Sequence, residues 1–261
     1  MNKLDNELKS FQNIWKGGFF TGYNNKRNQK SIEKYLGENM SGNICLEIGC
    51  GGGQWSKFIY NLNIFDKIYC IDALSAEHNQ FWNHVGHDKK DKIEYIQVTN
   101  FSLDCIPNNI LDYVFSYDVF CHISYSGQKE YIKNLSKKCR SNCKLLIMYA
   151  DPAKYLKSEP ENKWFIETYL PGGHSTICNI CKKSMNSCAR TKTGNEKQYS
   201  SEKNLIEAAI NDCDGNTANG RWYWIGINKF INLCNSYNYT ILNIDLNIDK
   251  TNPLTLFTKI D

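Results

Sequence analysis

The chain has 261 residues, enough to bury a sizeable core without staples, and its 41% hydrophobic and 22% charged residues are ordinary for a globular domain. The net charge of +4 is mild, and no Lys/Arg stripe interleaved with aromatics marks a nucleic-acid surface. No apolar run approaches the roughly 18–20 residues that span a bilayer, and Met1–Ser10 alternates charges without a signal core, so the expectation is a cytosolic protein without a membrane segment.

Leu4–Trp15 reads as a short helix. A Gly/aromatic loop follows, Trp15-Lys16-Gly17-Gly18-Phe19-Phe20-Thr21-Gly22-Tyr23. Ser31–Asn39 reads as a second helix, with Ser31 as its cap, and residues 1–42 together form an N-terminal helical cap. The core runs over 43–150. Short apolar runs at Ile44–Ile48, Lys67–Ile71, Ile93–Val98, Leu111–Ser116 and Lys144–Tyr149 predict buried strands. Between them, Trp55–Asn61, Ala76–Val85 and Gln128–Lys138 read as helices, and this alternation indicates parallel βαβ units.

Residues 151–220 break the rhythm. Lys182–Asn204 is rich in Lys, Ser, Asn and Thr without apolar periodicity, which marks an insertion or lid. Residues 221–261 return to regular structure. Trp224, Ile227, Phe230, Ile231 and Cys234 have helical spacing, and Tyr239–Leu246 with Leu254–Ile260 reads as a closing hairpin.

The segment Leu46-Glu47-Ile48-Gly49-Cys50-Gly51-Gly52-Gly53-Gln54-Trp55 carries the most chemistry. A strand feeds a turn of small residues and a helix follows, so a ligand can lie against the main chain. Dinucleotides prefer G-x-G-x-x-G; here Gln54 or Ser56 falls where the third glycine should be, and neither frame completes that fingerprint. This disfavours a Rossmann dehydrogenase. Asp72 then ends the second strand, where a carboxylate can accept both hydroxyls of a ribose.

The pattern Glu47-x-Gly49-x-Gly51-x-Gly53 resembles motif I of the class I S-adenosylmethionine-dependent methyltransferases. The resemblance covers 43–150 and implies a Rossmann-like α/β fold. Its seven-stranded sheet would be mostly parallel with the last strand antiparallel, with helices on both faces, the N-terminal cap and an insertion after the fifth strand. It implies S-adenosylmethionine as cofactor, with Glu47 orienting the loop and Asp72 on the ribose. Ala73 and Leu74 would flank the adenine. Asn100 and Phe101 stand where the family often has an acid contacting the adenine amino group. Asp118, in Ser116-Tyr117-Asp118-Val119-Phe120-Cys121-His122, falls in motif IV, where cofactor and acceptor meet, and is expected to bind the cofactor or position the acceptor.

Transfer of a methyl group is an in-line displacement that needs an aligned nucleophile and, for a hydroxyl, a proton acceptor. His122, just beyond the fourth strand, is the candidate base; were the acceptor oxygen already anionic, it would supply only a hydrogen bond. Tyr149 and Asp151, after the fifth strand, are candidates for the acceptor rim. So are His174 in the insertion and Trp15 and Tyr23, which either close the site or simply pack. His78, His84 and His87 fit a solvated helix surface better than a metal site.

Twelve cysteines call for a reading. Cys45, Cys50, Cys70, Cys105, Cys121, Cys139 and Cys143 fall mostly in core elements and read as reduced buried side chains. His174, Cys178, Cys181 and Cys188 have the spacing of a possible zinc knuckle, although reduced thiols or a redox pair fit as well, and no metal is assigned. The expected reaction is O-methylation of a small molecule. The acceptor classes expected are a sugar, or a nucleotide-linked or phosphate/phosphoramidate-type precursor of a bacterial surface polysaccharide, recognised by the insertion. Two alternatives stay open. One is an RNA or tRNA methyltransferase using Lys182, Lys183, Arg190, Lys192 and Lys197; the other is a cofactor-binding module without catalysis.

Overall fold

The computed structural model describes residues 4–14, 28–158, 215–216 and 223–261. Its centre is a seven-stranded sheet made of β1 (Ile44–Ile48), β2 (Lys67–Asp72), β3 (Ile93–Gln97), β4 (Leu111–Ser116), β5 (Cys139–Met148), β6 (Tyr239–Asn243) and β7 (Leu254–Lys259). The order across the sheet is β3-β2-β1-β4-β5-β7-β6. β1 to β5 pair in parallel, and β7 runs antiparallel to both its neighbours, β5 and β6. The chain leaves β1 toward β2 and β3, then returns to place β4 on the other side of β1. The direction of winding therefore reverses between β1 and β4, the position where open α/β sheets bind ligands at their carboxyl ends.

Burial explains why the strands read as apolar runs. Four consecutive residues of β1, Cys45 to Ile48, are buried, because helices cover both faces. Cys45, Ile68, Cys70, Tyr113 and Phe115 face α2 (Gln29–Asn39), α3 (Gln54–Asn61) and α4 (Phe81–Val85). Leu46, Ile48, Ile71, Val114 and Leu145 face α5 (Tyr125–Lys138) and α7 (Ile227–Asn235). Two further helices, α1 (Glu7–Ile14) and α6 (Pro152–Ser158), flank the carboxyl edge of the sheet or follow it in the chain.

Several boundaries differ from expectation for local reasons. The stretch Ala76–Val85 is helical only from Phe81; Gln80 at φ 49° interrupts it, and the residues before form turns. α5 begins at Tyr125 rather than Gln128, because the Ser124 hydroxyl accepts the Gly127 N–H and caps it. Trp224 lies outside α7; it bridges Ala150 and Gly226 then opens the helix. The eight described cysteines are all free, and seven are buried. Among the described residues no helix is long and apolar enough to cross a membrane.

Candidate functional site

The glycine-rich turn is tied to its neighbouring strand before any ligand is considered. The Gly49 and Cys50 N–H groups both donate to the Ile71 carbonyl at the end of β2, at 2.7 and 3.2 Å. The Gly51 N–H donates to Asp72 Oδ2 and the Leu74 N–H to Asp72 Oδ1, each at 2.9 Å. Burial raises the Asp72 carboxyl above its ordinary value, against the hydrogen bonds from Leu74, Gly51, Asn79 and Ala73, which favour its charge. One carboxylate thus fixes both the loop after β1 and the turn after β2.

Two of the glycines answer to packing. A Cβ on Gly49, which sits at φ +74°, would lie 2.2 Å from Val119 Cγ2, so this turn packs directly on the segment after β4. Gly53, at φ +83°, caps α3, and a Cβ there would lie 2.2 Å from Val85 Cγ2. It serves the α3–α4 contact and does not line the cavity described below.

Glu47 lies beneath the turn, 2% exposed. Its Oε2 accepts the Ser56 hydroxyl at 2.5 Å and faces the Cys70 thiol. Burial, aided by the charge of Asp72, pushes its carboxyl up to about 8 despite the bonds from Ser56 and Cys70. Glu47 is therefore largely protonated near neutrality and supports the first turn of α3 from below.

A cavity of about 960 Å³, counted with its open mouth, lies at the carboxyl edge of the sheet across the β1/β4 reversal. Gly49, Cys50, Gly51, Asp72, Ala73 and Leu74 form one end of its wall, and Tyr117, Asp118, Val119 and His122 form the other. Leu8 and Phe11 of α1, with Ile123 and Tyr131, contribute apolar surface. α1 is held there by Glu7, whose carboxylate accepts both the N–H and the hydroxyl of Ser124 at 2.6 Å.

The β4 end is built with unusual backbone. Asp118 stands at φ +60°, and the turn Phe120–His122 folds its side chain back toward His122. His122 Nε2 lies 4.0 Å from Asp118 Oδ1. Gln128, buried in α5, donates from Nε2 to the Phe120 and Ile123 carbonyls at 2.8 and 2.9 Å, and so clamps the segment that carries His122.

Not every expected residue reaches the cavity. Asn100 is exposed, with Oδ1 accepting the Ser102 N–H, and Phe101 is buried edge-on against Tyr131; neither lines the wall. Tyr149 is no rim residue. It is fully buried and stacks on Phe230 at 4.0 Å, because β5 is covered by α7 at that point. Asp151 is also structural, accepting the Lys154 and Ile227 N–H groups where α6 and α7 begin. Of the three histidines between β2 and β3, His84 is in α4 with Nδ1 facing the Gly52 carbonyl, while His78 and His87 lie outside it. Trp15, Tyr23, His174, Cys178, Cys181 and Cys188 lie outside the described residues.

Other wall residues had no sequence signal of function. Asn79 is fully buried, donates to the Tyr95 hydroxyl at 2.9 Å, and leaves its Oδ1 without a partner at the cavity wall. An orphaned buried acceptor beside a ribose-type carboxylate fits a ligand carrying hydrogen-bond donors. The i, i+3 spacing of Leu8 and Phe11 could have signalled an apolar face of α1, but not what it covers.

The profile of a family described as a methyltransferase domain matches residues 20–187, more than half the chain. The chain belongs to this methyltransferase family. It is an S-adenosylmethionine-dependent methyltransferase, and its fold agrees with solved members of that class. A putative S-adenosylmethionine-dependent methyltransferase from Listeria monocytogenes aligns with TM-score 0.56 at 11% identity, over 90% of this chain and 97% of that one. The 1,6-didemethyltoxoflavin-N1-methyltransferase of Burkholderia thailandensis aligns with TM-score 0.58 at 8% identity, over 97% and 87%. A methyltransferase from Mesorhizobium loti aligns with TM-score 0.54 at 8% identity, over 90% and 99%. A search of curated proteins found no match.

Proposed function

We propose that this methyltransferase acts on an oxygen atom of a small molecule, with the cofactor's adenosyl end at Asp72 and the acceptor at Asp118 and His122. The observation that carries this reading is that the wall of one cavity contains both groups. When bound, S-adenosylmethionine supplies an electrophilic methyl group. Asp72, with Ala73, Leu74 and Asn79 beside it, would hold the ribose and adenine. Gly49 and Gly51 would let the methionine portion lie on the main chain. Glu47 acts from beneath the loop, and Asn100 and Phe101 have no part in the contact.

At the other end His122 engages the acceptor oxygen, as proton acceptor for a hydroxyl or as hydrogen-bond donor for an oxygen already anionic. A proton acceptor beside the cavity favours oxygen. A hydroxyl gains from losing its proton during attack, whereas a ring nitrogen with a free lone pair does not need to. The Burkholderia neighbour carries a small molecule, 1,6-didemethyltoxoflavin, together with S-adenosylhomocysteine, so this fold can accommodate such acceptors. We assign acceptor recognition to the segment 151–220. The acceptor classes are those expected above: a sugar, or a nucleotide-linked or phosphate-type precursor of a surface polysaccharide.

Calorimetry with S-adenosylhomocysteine and NAD tests the cofactor end. The expected dissociation constant for the first is on the order of micromolar, weakened at least about tenfold by Asp72→Ala, with no NAD binding. Binding of NAD alone would overturn the reading. Across an acceptor panel, His122→Ala should lower turnover by roughly a hundredfold or more while leaving S-adenosylhomocysteine affinity within about twofold. Unchanged turnover would remove His122 from the acceptor site.

A further inference from the structure

We propose that Asp118, Cys121 and His122 form a binding site for a divalent transition-metal ion of the zinc class, with one coordination position open to the acceptor side of the cavity. This rests on the methyltransferase assignment at this cavity and replaces the direct contact of His122 with the acceptor oxygen by one made through the ion. Among the described residues these three are the one group of His, Cys, Asp and Glu side chains close enough to share a metal.

The distances suit such an ion. The three ligand atoms lie within 4.8 Å of one another. Asp118 Oδ1 is 3.5 Å from Cys121 Sγ and 4.0 Å from His122 Nε2. A tetrahedral site with bonds of about 2.0–2.3 Å has ligand–ligand edges of roughly 3.3–3.8 Å. The Asp118–Cys121 edge already has this length, while closing the site takes a contraction of roughly 0.5 Å at the Asp118–His122 edge and up to about 1 Å at the Cys121–His122 edge. One nitrogen, one sulfur and one oxygen donor suit zinc, and calcium or magnesium would demand oxygens throughout.

The backbone already holds the donors together. The left-handed Asp118 and the turn Phe120–His122 bring residues three and four apart to one point. Gln128 fixes the carbonyls on either side of Cys121 and His122, and the Cys121 carbonyl accepts the Tyr223 N–H at 2.7 Å. Such outer bonds orient ligands at metal centres.

Exposure gives the direction of the open position. Cys121 is fully buried, the His122 side chain is 16% exposed and the Asp118 side chain 39%. Asp118 and His122 both line the cavity and Cys121 does not. The sulfur therefore closes the rear of the site, and the fourth position points into the cavity, as in zinc sites that keep three protein ligands and one exchangeable one. To act as a ligand, Cys121 must give up its thiol proton. Binding the ion releases that proton to solvent, and the resulting thiolate and carboxylate are matched by the two positive charges. An acceptor hydroxyl in the fourth position would then lose its proton to solvent more readily, and His122 would act as ligand in place of base.

Cobalt(II) titration of the full chain, freed of metal by chelation, tests this directly. The expected result is one equivalent whose near-ultraviolet sulfur-to-cobalt absorption disappears in Cys121→Ser and persists in Cys181→Ser. His122→Ala should keep the absorption but weaken cobalt binding at least about tenfold, which covers the case in which Cys121→Ser fails to fold. No cobalt absorption in the wild type, its persistence in Cys121→Ser, or its loss in Cys181→Ser alone would overturn the proposal. S-adenosylhomocysteine calorimetry on the same samples separates the two readings. A wild type that binds it but no cobalt sinks only the metal site; one that binds cobalt but not S-adenosylhomocysteine sinks the methyltransferase assignment at this cavity.

Discussion

Gly49 shows how much of the candidate site rests on single atoms. At φ +74°, with Val119 Cγ2 placed 2.2 Å from where a Cβ would stand, Gly49→Ala meets both a backbone and a packing penalty. These sum to about 2–4 kcal/mol. Chemical denaturation should show that loss, and Val119→Ala in the Gly49→Ala background should restore part of it. A double variant as unstable as the sum of the singles would show that the contact is not what matters. Glu47 gives a prediction in pH. Its carboxyl is raised from 4.5 to about 8, so between those values the folded chain keeps a proton that the unfolded chain has released. Its contribution to stability therefore falls as pH rises through that window and is level above it. Glu47→Gln carries no such slope. From pH 5.5 to 8 the wild type should lose on the order of 3 kcal/mol more unfolding free energy than the variant does. The glycines, Glu47 and Asp72 were all legible in the sequence. Asn79 was not, because an asparagine in an apparently amphipathic stretch gives no sign that it will be buried with an unpartnered oxygen.

At the scale of elements, the segment after β4 depends on the helix that follows it. Gln128 lies in the first turns of α5 and reaches back to two carbonyls flanking Cys121 and His122. Gln128→Leu removes both donors and leaves two carbonyls short of a partner, each worth about 1–2 kcal/mol. Turnover should fall about tenfold or more, while S-adenosylhomocysteine affinity changes less than about twofold, since Gln128 does not line the cavity. Equal losses in both would mean that the substitution disturbs the whole site. Strand positions were well placed by the sequence because buried strands are short apolar runs. Helix ends were not. Those at Gln80, Ser124 and Gly226 are set by left-handed residues, capping hydroxyls and contacts from distant chain, which periodicity does not encode.

At the scale of the molecule, the β1/β4 reversal draws together segments far apart in the chain. Asp72, Asp118 and Leu8 share one cavity only because the sheet order places β1 between β2 and β4 and α1 docks across the edge. The same packing shields the thiols. Brief alkylation of the native chain followed by peptide mapping should modify Cys105, which is exposed, and spare the seven buried cysteines. Rapid labelling of Cys45 or Cys70 would show that the sheet opens readily.

The sequence by itself determined the α/β class, the strand positions, the failed dinucleotide fingerprint and the acid-glycine pattern at Glu47–Gly53. All of these are local: they depend on the order of residue types within about ten positions. The tertiary structure decided the rest. It buried Tyr149 under α7, moved Asn100 and Phe101 off the wall, put Glu47 beneath the loop, and gathered Asp118, Cys121 and His122 around a left-handed turn. Which face of an element is covered, and which side chains converge, depends on partners far away in sequence. No local pattern specifies them before the sheet has formed.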